Sequence, residues 1–130
     1  MKKLIVLAIT SFFAFAAYAQ EQQANQNQTM EQTVVDDYKV VSDEMKDGVR
    51  YIVATPSAKV CSKQIDIQIK DDVIQSVVYT RGCEGNAKGI GALIKDMKVD
   101  EAIRRLEGIN CGKRGTSCPD QLAKVLKSLK

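Results

Sequence analysis

Apolar and polar positions change period along the chain, and each period predicts a different element. Between Tyr38 and Tyr79 the period is two. Tyr38–Ser42 and Val49–Ala54 flank Lys46-Asp47-Gly48, and Asp-Gly between β-rich runs signals a hairpin. Pro56 ends the second run. Ile65, Ile67 and Ile69 alternate with Asp66, Gln68 and Lys70, the mark of a half-buried antiparallel strand. Asp71-Asp72 predicts the turn, and Val73 to Tyr79 the returning partner. Beyond residue 85 the spacing becomes helical. Ile90, Leu93, Ile94 and Met97 predict the inward face of a helix over Asn86–Met97. Asp100–Leu106 predicts a short helix with Ile103 and Leu106 inward and Gly108 just past its end. Ser117-Cys118-Pro119-Asp120 opens a last helix, with Pro in the first turn and a near capping box. Leu122, Val125, Leu126 and Leu129 form its apolar face. Strands followed by helices predict an α+β fold: an antiparallel sheet of three to four strands, then two to three helices.

The N-terminal third follows neither period. Lys2 and Lys3 precede a run of 14 residues, Leu4–Ala17, in which only Thr10 and Ser11 are polar. Ala17-Tyr18-Ala19 then places small residues where a signal peptidase cuts. Residues 1–19 read as a secretory signal peptide, since a membrane anchor needs about 20 apolar residues. Residues 20–35 are rich in Gln and Asn and read as a flexible polar tether. The domain is expected over 36–130, as an extra N-terminal hairpin at 36–56 added to a core at 57–130. The expectation is an exported protein, periplasmic or secreted, in an oxidising compartment, with no membrane attachment after cleavage.

The chain of 130 residues carries a formal charge of +3, too small to point to nucleic acid. It has no histidine, which removes Ser-His-Asp and Cys-His catalysis, His metal ligands and His-based pH switching together. Special chemistry is left to four cysteines: Cys61, Cys83, Cys111 and Cys118.

If the 65–80 hairpin turns at Asp71-Asp72, Cys61 and Cys83 fall nearly opposite each other at its open end. Cys111 and Cys118 flank a loop long enough to bring their sulfurs together. All four can therefore share one end of the sheet. Three readings stay open. The first is two disulfides, Cys61–Cys83 and Cys111–Cys118. The second is a four-thiolate zinc or iron–sulfur site, although the spacings lack a close C-x2-C pair. The third is a redox-active thiol at Cys118, at a helix start with Lys113 and Arg114 nearby in sequence and Cys111 as the resolving thiol. The segment Gly82–Gly91 runs from strand to helix. It could hold an anion on backbone N–H groups, or its glycines could serve a tight turn and close helix packing. Lys88, Arg104 and Arg105 read as solvated helix faces.

Thr116-Ser117-Cys118-Pro119-Asp120 spells TSCPD. With Gly82-Cys83-Glu84-Gly85-Asn86 and Leu106-Glu107-Gly108-Ile109-Asn110-Cys111-Gly112 upstream and Gln121-Leu122-Ala123 after it, the chain resembles the TSCPD domain family over roughly 58–128. Such domains stand alone or are appended to cobalamin-dependent ribonucleotide reductases. The order of strands, G-C-x-G-N into a helix and a Cys loop opening a last helix is more loosely similar to U-type iron–sulfur scaffold proteins. These resemblances imply a cysteine-lined site for a metal or cluster at Cys61, Cys83, Cys111 and Cys118. The expected function is a non-enzymatic binding or accessory module, with an unidentified protein partner possible. The alternative is a ribonucleoside-diphosphate-reductase-associated domain or a thiol redox protein.

Overall fold

The computed structural model describes residues 37–130, so the predicted signal peptide at 1–19 and tether at 20–35 lie outside the described residues. Both predicted turns form with two left-handed central residues. These are Asp47 (φ 52°) with Gly48 (φ 76°), and Asp71 (φ 50°) with Asp72 (φ 62°). Positive φ at both positions marks the type I′ hairpin turn, whose twist matches that of the strands it joins. The first turn connects β1 (Tyr38–Lys46) to β2 (Val49–Pro56), and the second connects β3 (Gln64–Lys70) to β4 (Val73–Thr80). The four strands form one antiparallel sheet in chain order. Three helices follow: α1 (Glu84–Ile94), α2 (Val99–Leu106) and α3 (Cys118–Ser128). The fold is α+β, as the pattern predicts.

The period-two residues of the central strands supply the core. Ile52, Ala54, Ile65, Ile67 and Ile74 are essentially inaccessible, and they pack with Leu122, Val125 and Leu126 of α3 and with Ala102 of α2. Each fully buried Val, Leu or Ile side chain here contributes about 1.5–3 kcal/mol. Two bulges adjust the register, one at β1 between Val40 and Ser42 and one at β4 opposite Gln68/Ile69. The second leaves Gln75 without a partner. Beyond it, Gln64 pairs with Thr80, so Cys61 and Cys83 stand three residues past the same open end of the ladder, one on each strand.

α1 departs from its predicted span. It starts at Glu84 and ends at Ile94, where left-handed Asp96 (φ 65°) turns the chain. The following residues lie along β4: Asp96 N–H donates to Ile74 O at 2.8 Å, and Ile74 N–H donates to Met97 O at 2.9 Å. Leu93, expected inward, is 79% exposed. The reason is a close approach two residues earlier. A Cβ on Gly91 would stand 2.6 Å from the Val77 carbonyl oxygen. The helix therefore lies on β4 along Gly91 and Ile94, and Leu93 borders the cavity described below. Gly91 thus serves close helix packing.

α2 ends as its sequence predicts, with Glu107 N–H on Ile103 O and Gly108 left-handed (φ 80°) just beyond. Its exposed Arg104 and Arg105 both pair with Glu101, at 2.7 and 2.5 Å, and hold that carboxyl down to about 2. α3 is tied to the first hairpin from both ends. Near its start Gln121 Nε2 donates to Asp37 at 2.7 Å, and Lys124 pairs with Asp37. At its end Arg50 donates to the Leu129 carbonyl at 3.0 Å, while gripping Asp43 through two nitrogens.

Candidate functional site

Within Thr116-Ser117-Cys118-Pro119-Asp120-Gln121, nearly every residue has a structural task. Ser117 caps α3, accepting from Asp120 N–H at 3.2 Å and donating to Ile109 O at 2.6 Å. Pro119 occupies the first turn, where a missing N–H costs nothing. Asp120, only 3% exposed, does not close the capping box. Its carboxylate reaches across to the 107–117 loop instead, accepting from Gly108 N–H at 2.7 Å and Thr116 Oγ1 at 2.6 Å, with Lys124 at 3.0 Å. Burial raises this carboxyl, but the bonds from Thr116 and Gly108 and the Lys124 charge outweigh it and hold the group below the usual carboxylate value. Gln121 is fully buried. Its Oε1 accepts from Ser57 N–H at 2.8 Å, and its Nε2 donates to Thr116 Oγ1 at 3.0 Å.

This network fixes three segments at once: the start of α3, the 107–117 loop and, through Ser57, the 57–63 connection between β2 and β3. Each segment carries a cysteine. Cys118 is the first residue of α3, Cys111 lies in the loop, and Cys61 lies in the connection. Cys83 is the N-cap of α1, and its side chain makes no capping bond.

All four cysteines line one open cavity of about 500 Å³. Its walls include Ile90, Leu93, Ile109 and Pro119 on the apolar side and Arg81 and Arg114 as charges, with no carboxylate among the described lining residues. Leu93 and Ile109 are exposed at its rim. The structure therefore brings together every cysteine named from the sequence.

The pairing differs from both expected local pairs. The four are free thiols, and the sulfur–sulfur contact is between Cys61 and Cys118, at 4.0 Å. Ser62, 2% exposed, donates its hydroxyl to Cys118 Sγ at 3.2 Å. Among the described residues, no three Cys, Asp or Glu side chains converge closely enough to hold a metal ion as they stand. The cationic partner is also reassigned. Arg114, close to Cys118 in sequence, acts on Cys61. Burial raises the Cys61 thiol, but Cys118, a backbone N–H and the Arg114 guanidinium together pull it below the ordinary thiol value. Tyr79 closes the floor, donating to Cys118 O at 3.3 Å. Burial chiefly holds its phenol in the neutral form, well above its usual value. Ser62 and Tyr79 are site residues the sequence pattern does not reveal, apart from the position of Ser62 beside Cys61; Gln121 belongs to the quoted motif, but its buried bonding role is not legible from it.

The motif and its supports match the TSCPD domain model over residues 36–130. The chain belongs to the TSCPD domain family. The matched stretch takes in β1 and β2 as well as the region from residue 57 onward. In this TSCPD domain the name-giving residues converge on one outcome, the placement of Cys118 at the floor of a cysteine-lined cavity. No curated protein and no solved structure matches the chain.

Proposed function

We propose that this TSCPD domain is a binding module, exported with residues 1–19 removed, whose working site is the four-cysteine cavity. Its ligand is a soft metal ion or an iron–sulfur cluster held by Cys61, Cys83, Cys111 and Cys118. The supporting observation is that four cysteines from four separate segments line one cavity with no competing carboxylate among the described lining residues. The donor chemistry fits: thiolates favour zinc and iron–sulfur clusters over hard cations. The charge fits as well. Four thiolates around a dication leave two negative charges, and Arg81 and Arg114 offset them. Closure falls to Cys83, whose side chain is uncommitted, and to the Cys111 loop, which bends at left-handed Gly112 (φ 58°) and Gly115 (φ 73°).

The test is anaerobic reconstitution of the reduced mature protein with zinc, or with ferrous iron and sulfide. One ion or cluster per chain is expected, with all four thiols protected from alkylation. Cys83→Ser and Cys111→Ser should each weaken retention. Four freely alkylated thiols and no stoichiometric metal would defeat the reading.

A further inference from the structure

We infer that Cys61 and Cys118 form a thiol–disulfide exchange couple that acts on anionic peptide disulfides, with Cys61 attacking and Cys118 resolving. The couple uses the same cavity as the binding reading but needs none of its ligands. Four observations converge on it. The sulfurs stand 4.0 Å apart, so a modest side-chain rotation reaches the bond length of about 2.05 Å. Cys61 is exposed and Cys118 half-buried, which separates the thiol a substrate meets from the one that follows. Arg114 lines the same cavity as Cys61, which places a cation where an anionic substrate meets the exposed thiol. The motif network holds Cys118 at the first position of α3 while Ser62 engages its sulfur.

The cavity also suggests the substrate. Arg81 and Arg114 line it without a carboxylate among the described lining residues, and Ile90, Leu93 and Ile109 add apolar surface. A disulfide whose flanking groups carry carboxylates on a short peptide fits that wall, and a cationic disulfide does not.

The chemistry balances without a metal. The Cys61 thiolate attacks one substrate sulfur, forming a mixed disulfide and expelling the first substrate thiolate. The Cys118 thiolate then attacks Cys61 Sγ, forming Cys61–Cys118 and expelling the second. The protons of the two protein thiols pass to the two leaving thiolates. The protein dithiol is oxidised and the substrate disulfide is reduced to two thiols.

The test exposes the reduced full-length protein, in chelator, to glutathione disulfide or to cystamine, with timed alkylation and peptide mass mapping. Wild type should end with a Cys61–Cys118 bond and no retained glutathione. Cys118→Ser, with Cys118→Ala as a second variant, should trap one glutathione on Cys61. Glutathione disulfide should react about tenfold faster than cystamine, the low end of electrostatic steering, and Arg114→Gln should narrow that gap. A first bond joining Cys61 to Cys83 or Cys111 to Cys118, or a first adduct on Cys83 or Cys111, would overturn the couple. Equal rates for the two disulfides would overturn the substrate class. Because chelator removes metal, failure here and failure of the binding reading register separately, and the wild-type map does not depend on any variant folding.

Discussion

Replacing Asp120 by Ala tests whether the motif acts by anchoring. The carboxylate is 3% exposed and accepts from Gly108 N–H at 2.7 Å and Thr116 Oγ1 at 2.6 Å. Truncation orphans the buried Thr116 hydroxyl and the part-buried Gly108 N–H. Hydrogen bonds to charged groups are worth about 1.5–3 kcal/mol each. The Lys124 contact at 3.0 Å involves a lysine side chain 30% exposed, so it adds no more than about 1 kcal/mol. The expected loss is about 3–5 kcal/mol, which for a domain of this size lowers Tm by about 12 °C or more. Asp120→Asn keeps an acceptor for Gly108 but turns an amide toward Thr116, whose hydroxyl already accepts from Gln121. Its loss should be smaller, about 1–2 kcal/mol. Urea unfolding followed by circular dichroism gives both values. Amide exchange should accelerate at Gly108 and along the 107–117 loop before it does in β3. A loss below about 1 kcal/mol for Asp120→Ala, with the loop still protected, would refute the anchoring argument.

Other outcomes follow from the same geometry. Asp37 and Asp120 both titrate below their ordinary values, so their contribution is complete above the unfolded carboxylate pKa of about 3.9 and is lost as pH falls through the folded values. Lys124 titrates above its ordinary value, so its share persists up to about pH 10 and is lost only as pH rises through the folded value. Stability against pH should hold level through neutrality and fall below about pH 4, with a shallower acid limb in Asp120→Asn. Gly91→Ala should destabilise by about 1–3 kcal/mol, because its Cβ meets a backbone carbonyl, whereas Gly89→Ala, with open space around it, should stabilise by about 0.5–1 kcal/mol. Thermal melts of the two variants shifting the same way would contradict the close packing of α1 on β4. Asp72→Gly should stabilise by about 0.5–1 kcal/mol, since φ of 62° suits Gly at the second position of a type I′ turn. A neutral or negative shift would count against that turn type.

The hairpins and the cap of α3 were legible because each depends on residues close in sequence: Asp47-Gly48, the Ile65/Ile67/Ile69 alternation, and Ser117 three residues before Asp120. The misplacement of Leu93 has a different origin. Its helical spacing is inward, but Gly91 sets the rotation of α1 through a contact with β4, and periodicity carries no record of that neighbour. The bulge at Gln75 shifts the register by one residue without any glycine or proline to announce it. The clustering of all four cysteines at one end of the sheet could be anticipated from hairpin geometry. The Cys61–Cys118 contact could not. It spans 57 positions, and it depends on where α3 docks, which its core packing and the buried Gln121–Ser57 hydrogen bond set together.

The difference in range between these contacts bears on the order of events while the chain folds. Hairpin formation takes about 1–10 µs, while contacts distant in sequence carry a larger loop-closure cost and form later. The β3–β4 ladder sets Cys61 and Cys83 at equal distances past its last pair, Gln64 with Thr80, before α3 needs to be in place. A newly made chain that meets an oxidant at that moment is biased toward the local bond between Cys61 and Cys83. Once formed, that bond withholds Cys61 from Cys118. The native thiol arrangement therefore belongs to the late stage of folding, set when one C-terminal helix docks.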